Sequence, residues 1–326
     1  MKHVGCAGIV VKDTFCGPMA ALPQPGELVS VSAMRVMAGG CAANVALDLV
    51  RQGIPVDLAG CVGRDSAASA LVQTLEGGGV DCRHLTRTPD HPTSETVILL
   101  VEGEDRRYIH SFGANRTFRI ADLARDWIAG LSVFYLGGLF ALPGVRTDEL
   151  LALLKYCRAH DVVTVVDVVV PTGFQETETV RELLPQVDWF LPNETEAAIF
   201  TGEREPIRAM ARLREWGASN LVITRGDAGA LAASGEQLWQ CDAYQWTTVD
   251  PSGAGDAFAS GVITGIQSGW ELPQTLRYAS AVGASATRAV GTTTSVFTFA
   301  EAQAQIAKEP VAVHLTSQPN GANHGI

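Results

Sequence analysis

The chain has 326 residues, 47% hydrophobic and 18% charged, with a formal net charge of −11. This composition supplies enough apolar surface for one large α/β domain or two smaller ones and argues against disorder over most of the length. The acidic balance, with no long Lys/Arg cluster, argues against nucleic acid as a partner, although a local nest of backbone N–H groups still binds phosphate in an acidic protein.

The start, MKHVGCAGIVVKDTF, has an apolar run too short for a secretory leader. No stretch approaches ~18 uninterrupted apolar residues, so no membrane span is expected. The seven cysteines (6, 16, 41, 61, 82, 157 and 241) are scattered, odd in number and free of any C-x-x-C spacing. They read as reduced thiols in a cytoplasmic protein.

In chain order, VGCAGIVV (4–11) predicts a first strand, and LVSVSAMRVMA (28–38) alternates as a short strand pair within a Pro- and Gly-punctuated segment, 18–38. GGCAANVALDLVRQG (39–53) opens on two glycines and continues at helical spacing until Gly53. A strand over 56–63 and a helix over 66–80 follow. TVILLVEGEDRRYIHSF (96–112) sets two β-rich runs around a polar turn and predicts a hairpin. Beyond it, apolar strands at 131–138, 162–170, 188–193 and 220–226 alternate with helices near 146–159, 176–184 and 206–216. Such continuous Val/Ile/Leu strands spaced by helices predict a parallel sheet covered on both faces. The hairpin and the 18–38 segment do not fit that sheet and are expected to form a small antiparallel sheet beside it, as a lid.

The chemistry concentrates at VDPSGAGDAFASGVITGI (249–266). Glycines 253 and 255 permit a tight turn whose N–H groups point one way, and the helix that follows adds its positive end. Asp256 sits beside that anion hole. It is either a plain helix cap or a base that takes a proton from a hydroxyl attacking a bound phosphate, and this stretch alone leaves both open. Neither G-x-x-x-x-G-K-[ST] nor a strand-borne G-x-G-x-x-G occurs, so a P-loop or dinucleotide-binding domain is not supported.

GGCAANVALDLVRQG (39–53), LPNETEAAIFTG (191–202), ITRGDAGAL (223–231) and DPSGAGDAF (250–258) together resemble the ribokinase-like (PfkB) carbohydrate kinases, over roughly residues 1–310. The resemblance implies a ribokinase-like three-layer α/β fold with a mainly parallel central sheet and a small β lid. The body would comprise 1–12, 39–93 and 118–310, the lid 13–38 and 94–117, and a flexible C-terminal tail 311–326. It implies transfer of the γ-phosphoryl group of ATP to a hydroxyl, with Asp256 as base and Gly253, Ala254 and Gly255 as anion hole. Asn193 and Glu196 would act on Mg²⁺, through water, and hard oxygen ligands suit that ion. Thr224, Gly226 and Gly229 would lie along the nucleotide. Asp250, Ser252 and Gly291 stand where many members bind a monovalent cation such as K⁺, although DPS replaces the more usual D-T-T and Pro251 removes an N–H.

Asp13, Gly39, Gly40 and Asn44 are the expected acceptor-binding residues, with the glycines admitting close approach and the Asp and Asn supplying polar atoms for hydroxyls. Three departures argue against ribose. Val11, Cys41 and the Gly137–Gly138 pair stand where ribokinase carries Asn, Lys and Glu, which leaves the pocket roomier or less polar. Arg107, His110 and Asn115 are placed to reach an acidic or bulky substrate. The expected partners are a sugar-like small molecule, with no nucleic acid and no membrane, and a second copy paired through the lid. The rivals are a nucleoside kinase with the same machinery, a silent ligand-sensing homologue, and a structural protein.

Overall fold

The computed structural model describes residues 2–104 and 106–316. In chain order the elements are β1 Val4–Gly8, β2 Val11–Met19, β3 Met34–Gly39, α1 Cys41–Arg51, β4 Val56–Val62, α2 Ser66–Gly77, β5 Asp81–Arg87, β6 Glu95–Val101 and β7 Arg107–Ser111. There follow α3 Arg125–Gly130, β8 Val133–Leu139, α4 Thr147–Ala159, β9 Val163–Val168, α5 Thr177–Leu183, β10 Trp189–Phe190, α6 Glu194–Thr201 and α7 Pro206–Glu215. The chain continues through β11 Asn220–Thr224, β12 Ala230–Ser234, β13 Gln237–Cys241, α8 Ala254–Gln267, α9 Leu272–Ala286, α10 Phe299–Lys308 and β14 Val313–Thr316.

One sheet has the order β14-β13-β12-β11-β10-β9-β8-β1-β4-β5. From β11 to β5 every pairing is parallel, and β12, β13 and β14 extend the edge antiparallel. The period-2 alternation of β8 shows why there are three layers. Phe134 and Leu136 enter the core under α4, α5, α6 and α7, while Val133 and Tyr135 enter the core shared with α1, α2, α8 and α9. Helices α8 and α9 pack closely because Gly261 and Gly265 leave room, and a Cβ on Gly261 would lie 2.5 Å from the Cα of Ala279. No helix among the described residues is long and apolar enough to cross a membrane. All seven cysteines are free.

The second sheet has the order β3-β2-β6-β7. The 96–112 hairpin forms as β6 and β7. This small sheet is mixed and not purely antiparallel, because β2 and β6 run parallel. They are separated in sequence by β3, α1, β4, α2 and β5, a crossover long enough to bring the chain back in the same direction. The expected strand over 4–11 is two strands in two sheets. Gly8 turns the chain there with φ +134°, and a Cβ on it would lie 2.1 Å from the Gly137 carbonyl oxygen. Of the pair expected within 28–38, only Met34–Gly39 is a strand, and it pairs with β2. The segment before it, with Pro23, Pro25 and Gly26, leaves Leu28 on the surface. Part of the expected tail is also ordered, since Val313–Thr316 pairs with β13. Residues 317–326 lie outside the described residues.

Candidate active site

Helix α8 starts after Gly253, whose φ of +77° no L side chain adopts easily, and a Cβ there would stand 2.1 Å from the Thr292 carbonyl oxygen. No side chain caps this helix. Asp256 does not close onto the helix end. Its Oδ2 accepts a hydrogen bond from Nδ2 of Asn44, on α1, at 2.7 Å. A Cβ on Gly255 would meet nothing within 4 Å, so open space lies in front of the first-turn N–H groups. Asp256 is therefore not a side-chain cap of its own helix.

Burial raises the pKa of Asp256, while hydrogen bonds from Asn44 and from the Cys41 thiol oppose the rise. Cys41 stays a thiol, because burial and the nearby Asp256 and Asp167 carboxylates hold its proton on. Asn44 is itself fixed, since Thr292 Oγ1 donates to its Oδ1 at 2.9 Å. Asn44 thus links Thr292 to Asp256 through the two ends of its amide.

Two cavities meet here. One, of about 370 Å³, is lined by Cys41, Tyr108, Asp167, Asn193, Glu196 and Asp256 among others. The other, of about 250 Å³, runs past Thr224, Gly226, Gly229, Tyr244, Trp246 and Ala254. Both touch Thr224, Gly255 and Phe258. A larger hollow of about 670 Å³ beside α7, lined by Ile207, Met210 and Arg214, contains none of the expected residues. Thr224 ends β11 and bridges Asn193, and Gly226 and Gly229 turn the chain with φ of +56° and +82°.

Asn193 and Glu196 form a reciprocal cap on α6. Asn193 N donates to Glu196 Oε2 at 2.8 Å, and Glu196 N donates to Asn193 Oδ1 at 2.9 Å. They are thus an ordinary helix start and also part of the cavity wall. Burial pushes Glu196 up to about 7. Asp167, which sequence reasoning missed, stands opposite. Its Oδ2 accepts from the Tyr135 hydroxyl at 3.0 Å and its Oδ1 from Val168 N at 2.7 Å. Burial and the neighbouring Asp256 and Glu196 push it well above the usual carboxylate range. A ligand atom from each of Cys41, Asp167 and Asp256 lies within 4.8 Å of the others. Carboxyls crowded until they resist ionising are a set that a hard divalent cation relieves, and oxygen donors of this kind suit Mg²⁺. The signal for Asp167 was a single acid inside the apolar run VVTVVDVVV.

Asp13 is buried on β2, and Gly39 lies under it. A Cβ on Gly39 would stand 1.8 Å from Asp13 Oδ2. Gly40, with φ +92°, caps α1. Burial, with a smaller contribution from Asp256, raises Asp13 to about 7. The folded chain therefore holds a proton on Asp13 that the unfolded chain releases near pH 4. Stability falls as pH rises from about 4 to about 7, by at most ~1.4 kcal/mol per pH unit for this one group. Melting temperatures of the ligand-free protein across this range are expected to fall, and Asp13→Asn is expected to flatten the slope. A variant with the wild-type slope would assign the proton elsewhere.

The departures from ribokinase also have a geometry. At the end of β8, a Cβ on Gly138 would lie 2.2 Å from Ile9 Cδ1, so an apolar side chain fills that space. Arg107 pairs with Glu104 in its own hairpin, and Asn115 Oδ1 accepts from Val10 N at 3.4 Å where the chain passes between sheets. Thr96 Oγ1 and His110 Nδ1 are 3.0 Å apart across the hairpin. These contacts bind Arg107, His110 and Asn115 to the lid and its base, and none of the three lines the cavity at Asp256. The lid residue that does is Tyr108.

Asp250, Ser252 and Gly291 are together. Asp250 Oδ1 accepts from Ser252 N at 2.9 Å and Ser252 Oγ at 2.7 Å, and Oδ2 accepts from Gly291 N at 3.0 Å. A fourth residue, missed from sequence, joins them. Arg106, from the lid, donates to Ser252 Oγ at 2.9 Å.

Several known proteins resemble the chain. It is 28% identical over 278 residues to the 2-dehydro-3-deoxygluconokinase of Bacillus subtilis, covering 82% of this chain and 85% of that one. It is 25% identical over 260 residues to the ATP-dependent 6-phosphofructokinase of Thermoanaerobacterium thermosaccharolyticum, covering 78% and 80%. The fold superimposes on the Arabidopsis thaliana ribokinase complexed with ribose and ATP with a TM-score of 0.79 at 21% identity, covering 93% of this chain and 98% of that one. Residues 1–298 match the description "pfkB family carbohydrate kinase", and with this fold and this meeting of motifs the chain belongs to that family of carbohydrate kinases.

Proposed function

We propose that this kinase phosphorylates a hydroxyl of a sugar or sugar-like small molecule with ATP, and that Asp256 is the base. The observation that carries the reading is the position of Asp256 in the wall of the cavity that adjoins the nucleotide-side cavity at Thr224, Gly255 and Phe258, turned from its own helix end toward Asn44. The smaller cavity, with its aromatic Tyr244 and Trp246, takes the nucleotide. The other takes the acceptor and the transferring group.

The acceptor O–H gives its proton to an Asp256 oxygen as the acceptor oxygen bonds to the γ-phosphorus and the bond to ADP breaks. The N–H groups of Gly253, Ala254 and Gly255 receive the charge on the phosphoryl oxygens, and positioning and charge stabilisation of this kind dominate phosphoryl transfer. Mg²⁺ supplies charge neutralisation to the phosphates when bound, and Asp167, Asn193 and Glu196 would hold it, directly or through water. Asp13 and the backbone at Gly39–Gly40 receive the acceptor's other hydroxyls. Tyr108 brings the lid over the site, where closure excludes water.

The test is a panel of sugars, sugar acids, polyols and nucleosides with ATP and Mg²⁺, read as ADP release, with Asp256→Asn as the blank. The reading fails if no acceptor rises above that blank. Activity confined to nucleosides would transfer it to the nucleoside-kinase rival.

The small sheet supports a homodimer. Met34 and Val36 on edge strand β3 are 67% and 61% exposed, and Ile109 on edge strand β7 is 63% exposed. Unsheltered apolar edge strands pair with a second copy. Sedimentation equilibrium at micromolar concentration is expected to give twice the chain mass, and Ile109→Glu is expected to shift it toward the monomer. A wild-type monomer at every concentration removes the proposal.

A further inference from the structure

The loop leading into the anion hole is built around a buried charge. Asp250 is 2% exposed, and its three closest donors, Ser252 N, Ser252 Oγ and Gly291 N, are all neutral. A buried carboxylate with only neutral partners is costly, and a compensating positive charge lowers that cost. The charge comes from the lid. Arg106 Nη1 lies 3.7 Å from Asp250 Oδ1 and 2.9 Å from Ser252 Oγ. The serine hydroxyl donates to the carboxylate and accepts from the guanidinium, so a continuous chain runs from lid to loop.

Asp250, Ser252 and Gly291 do not fit a monovalent cation in this chain. A fixed guanidinium at 3.7 Å repels a second positive ion. The lid touches the same loop again, since a Cβ on Gly291 would lie 2.6 Å from the Met37 sulfur and Thr292 Oγ1 donates to the Ala38 carbonyl at 3.4 Å.

We propose that Arg106 is a positioning residue that supplies, from the lid, the positive charge this loop requires, so that ordering of the Gly253–Gly255 donors depends on lid closure and not on a monovalent cation. The proposal rests on the kinase reading only for its turnover arm.

The experiment compares wild type, Arg106→Ala and Arg106→Lys in KCl, NaCl and tetramethylammonium chloride at equal ionic strength. It reads the melting temperature, the calorimetric affinity for a non-hydrolysable ATP analogue with Mg²⁺, and turnover with an active acceptor. Wild-type affinity is expected to vary less than about twofold among the salts, because the charge is covalently tethered. Arg106→Ala is expected to lose about tenfold in analogue affinity in tetramethylammonium and to recover with K⁺ or added guanidinium ion. Arg106→Lys, which keeps the charge but loses the planar fork, is expected to lie between.

A wild-type affinity at least about tenfold tighter in KCl than in tetramethylammonium overturns the proposal, as does an Arg106→Ala protein that behaves as wild type in all three salts. An Arg106→Ala protein with an unchanged melting temperature but weakened, rescuable binding supports it. Wild type that binds the analogue in every salt yet phosphorylates no acceptor defeats the kinase reading and leaves this proposal standing.

Discussion

Asparagine at position 256 is expected to lower kcat by about 10²–10⁴ and to leave nucleotide affinity nearly unchanged. The substitution keeps the size of the side chain and a hydrogen bond to Asn44, but it removes the carboxylate proposed to take the acceptor's proton. The pH dependence should change with it. Burial raises the Asp256 pKa, so the wild-type rate climbs as pH rises through that raised value and the carboxylate forms. The residual activity of the variant lacks this climb. Initial rates of ADP release with the best acceptor, over pH 5 to 9, measure both effects. The variant should melt no lower than wild type, because a buried acid has been replaced by a neutral amide. A variant within about threefold of wild type would remove Asp256 from proton transfer.

Alanine at position 253 should damage fold and activity together. The new Cβ would sit 2.1 Å from the Thr292 carbonyl oxygen and 2.7 Å from that residue's carbonyl carbon, in a backbone conformation with φ +77°. Backbone cannot yield as a flexible side chain does, so the loop must shift. Strain of this kind is of order 1–3 kcal/mol. Misaligned anion-hole donors lower the rate by about 10²–10³. Gly255→Ala is the companion measurement, because its Cβ meets nothing within 4 Å. It should fold within ~0.5 kcal/mol of wild type and still lose rate, since the methyl enters the space kept for the phosphoryl group. Thermal melts and steady-state kinetics on the two variants separate folding from function. Wild-type values for Gly253→Ala would contradict the geometry of the loop.

The parallel part of the large sheet was legible because its strands are buried on both faces, and runs such as VVTVVDVVV have no polar side to show. The antiparallel edge was less so. Residues 313–316 read as tail because VHLT is short and half exposed, yet it gains backbone partners from β13. The break at Gly8 was hidden for another reason. VGCAGIVV is uniformly apolar whether it forms one strand or two, and only the neighbouring Gly137 backbone decides. At the site, the loop residues 253–256 could be read because glycines and an acid at a helix start already constrain the chemistry. Asp167 showed only as a lone acid in an apolar strand, and Arg106 had no local pattern, since each meets its site partners from distant parts of the chain. The contacts of Asn44 were not legible because its partners, Asp256 and Thr292, are more than 200 residues away in sequence, at separations of 212 and 248.

Asp13 lies on β2, in the small sheet, while Asp256 is rooted in the helical layer behind the large one. The two carboxyl groups proposed to address one acceptor thus belong to the small sheet and to the body around the large one, which the bend at Gly8 joins. A molecule with hydroxyls spaced to span both ties the sheets together by its own length, and so reports its shape through the whole protein. Water has no such length: on the proposed reading it would satisfy one end alone and give the enzyme no reason to shut, which would protect ATP from idle hydrolysis.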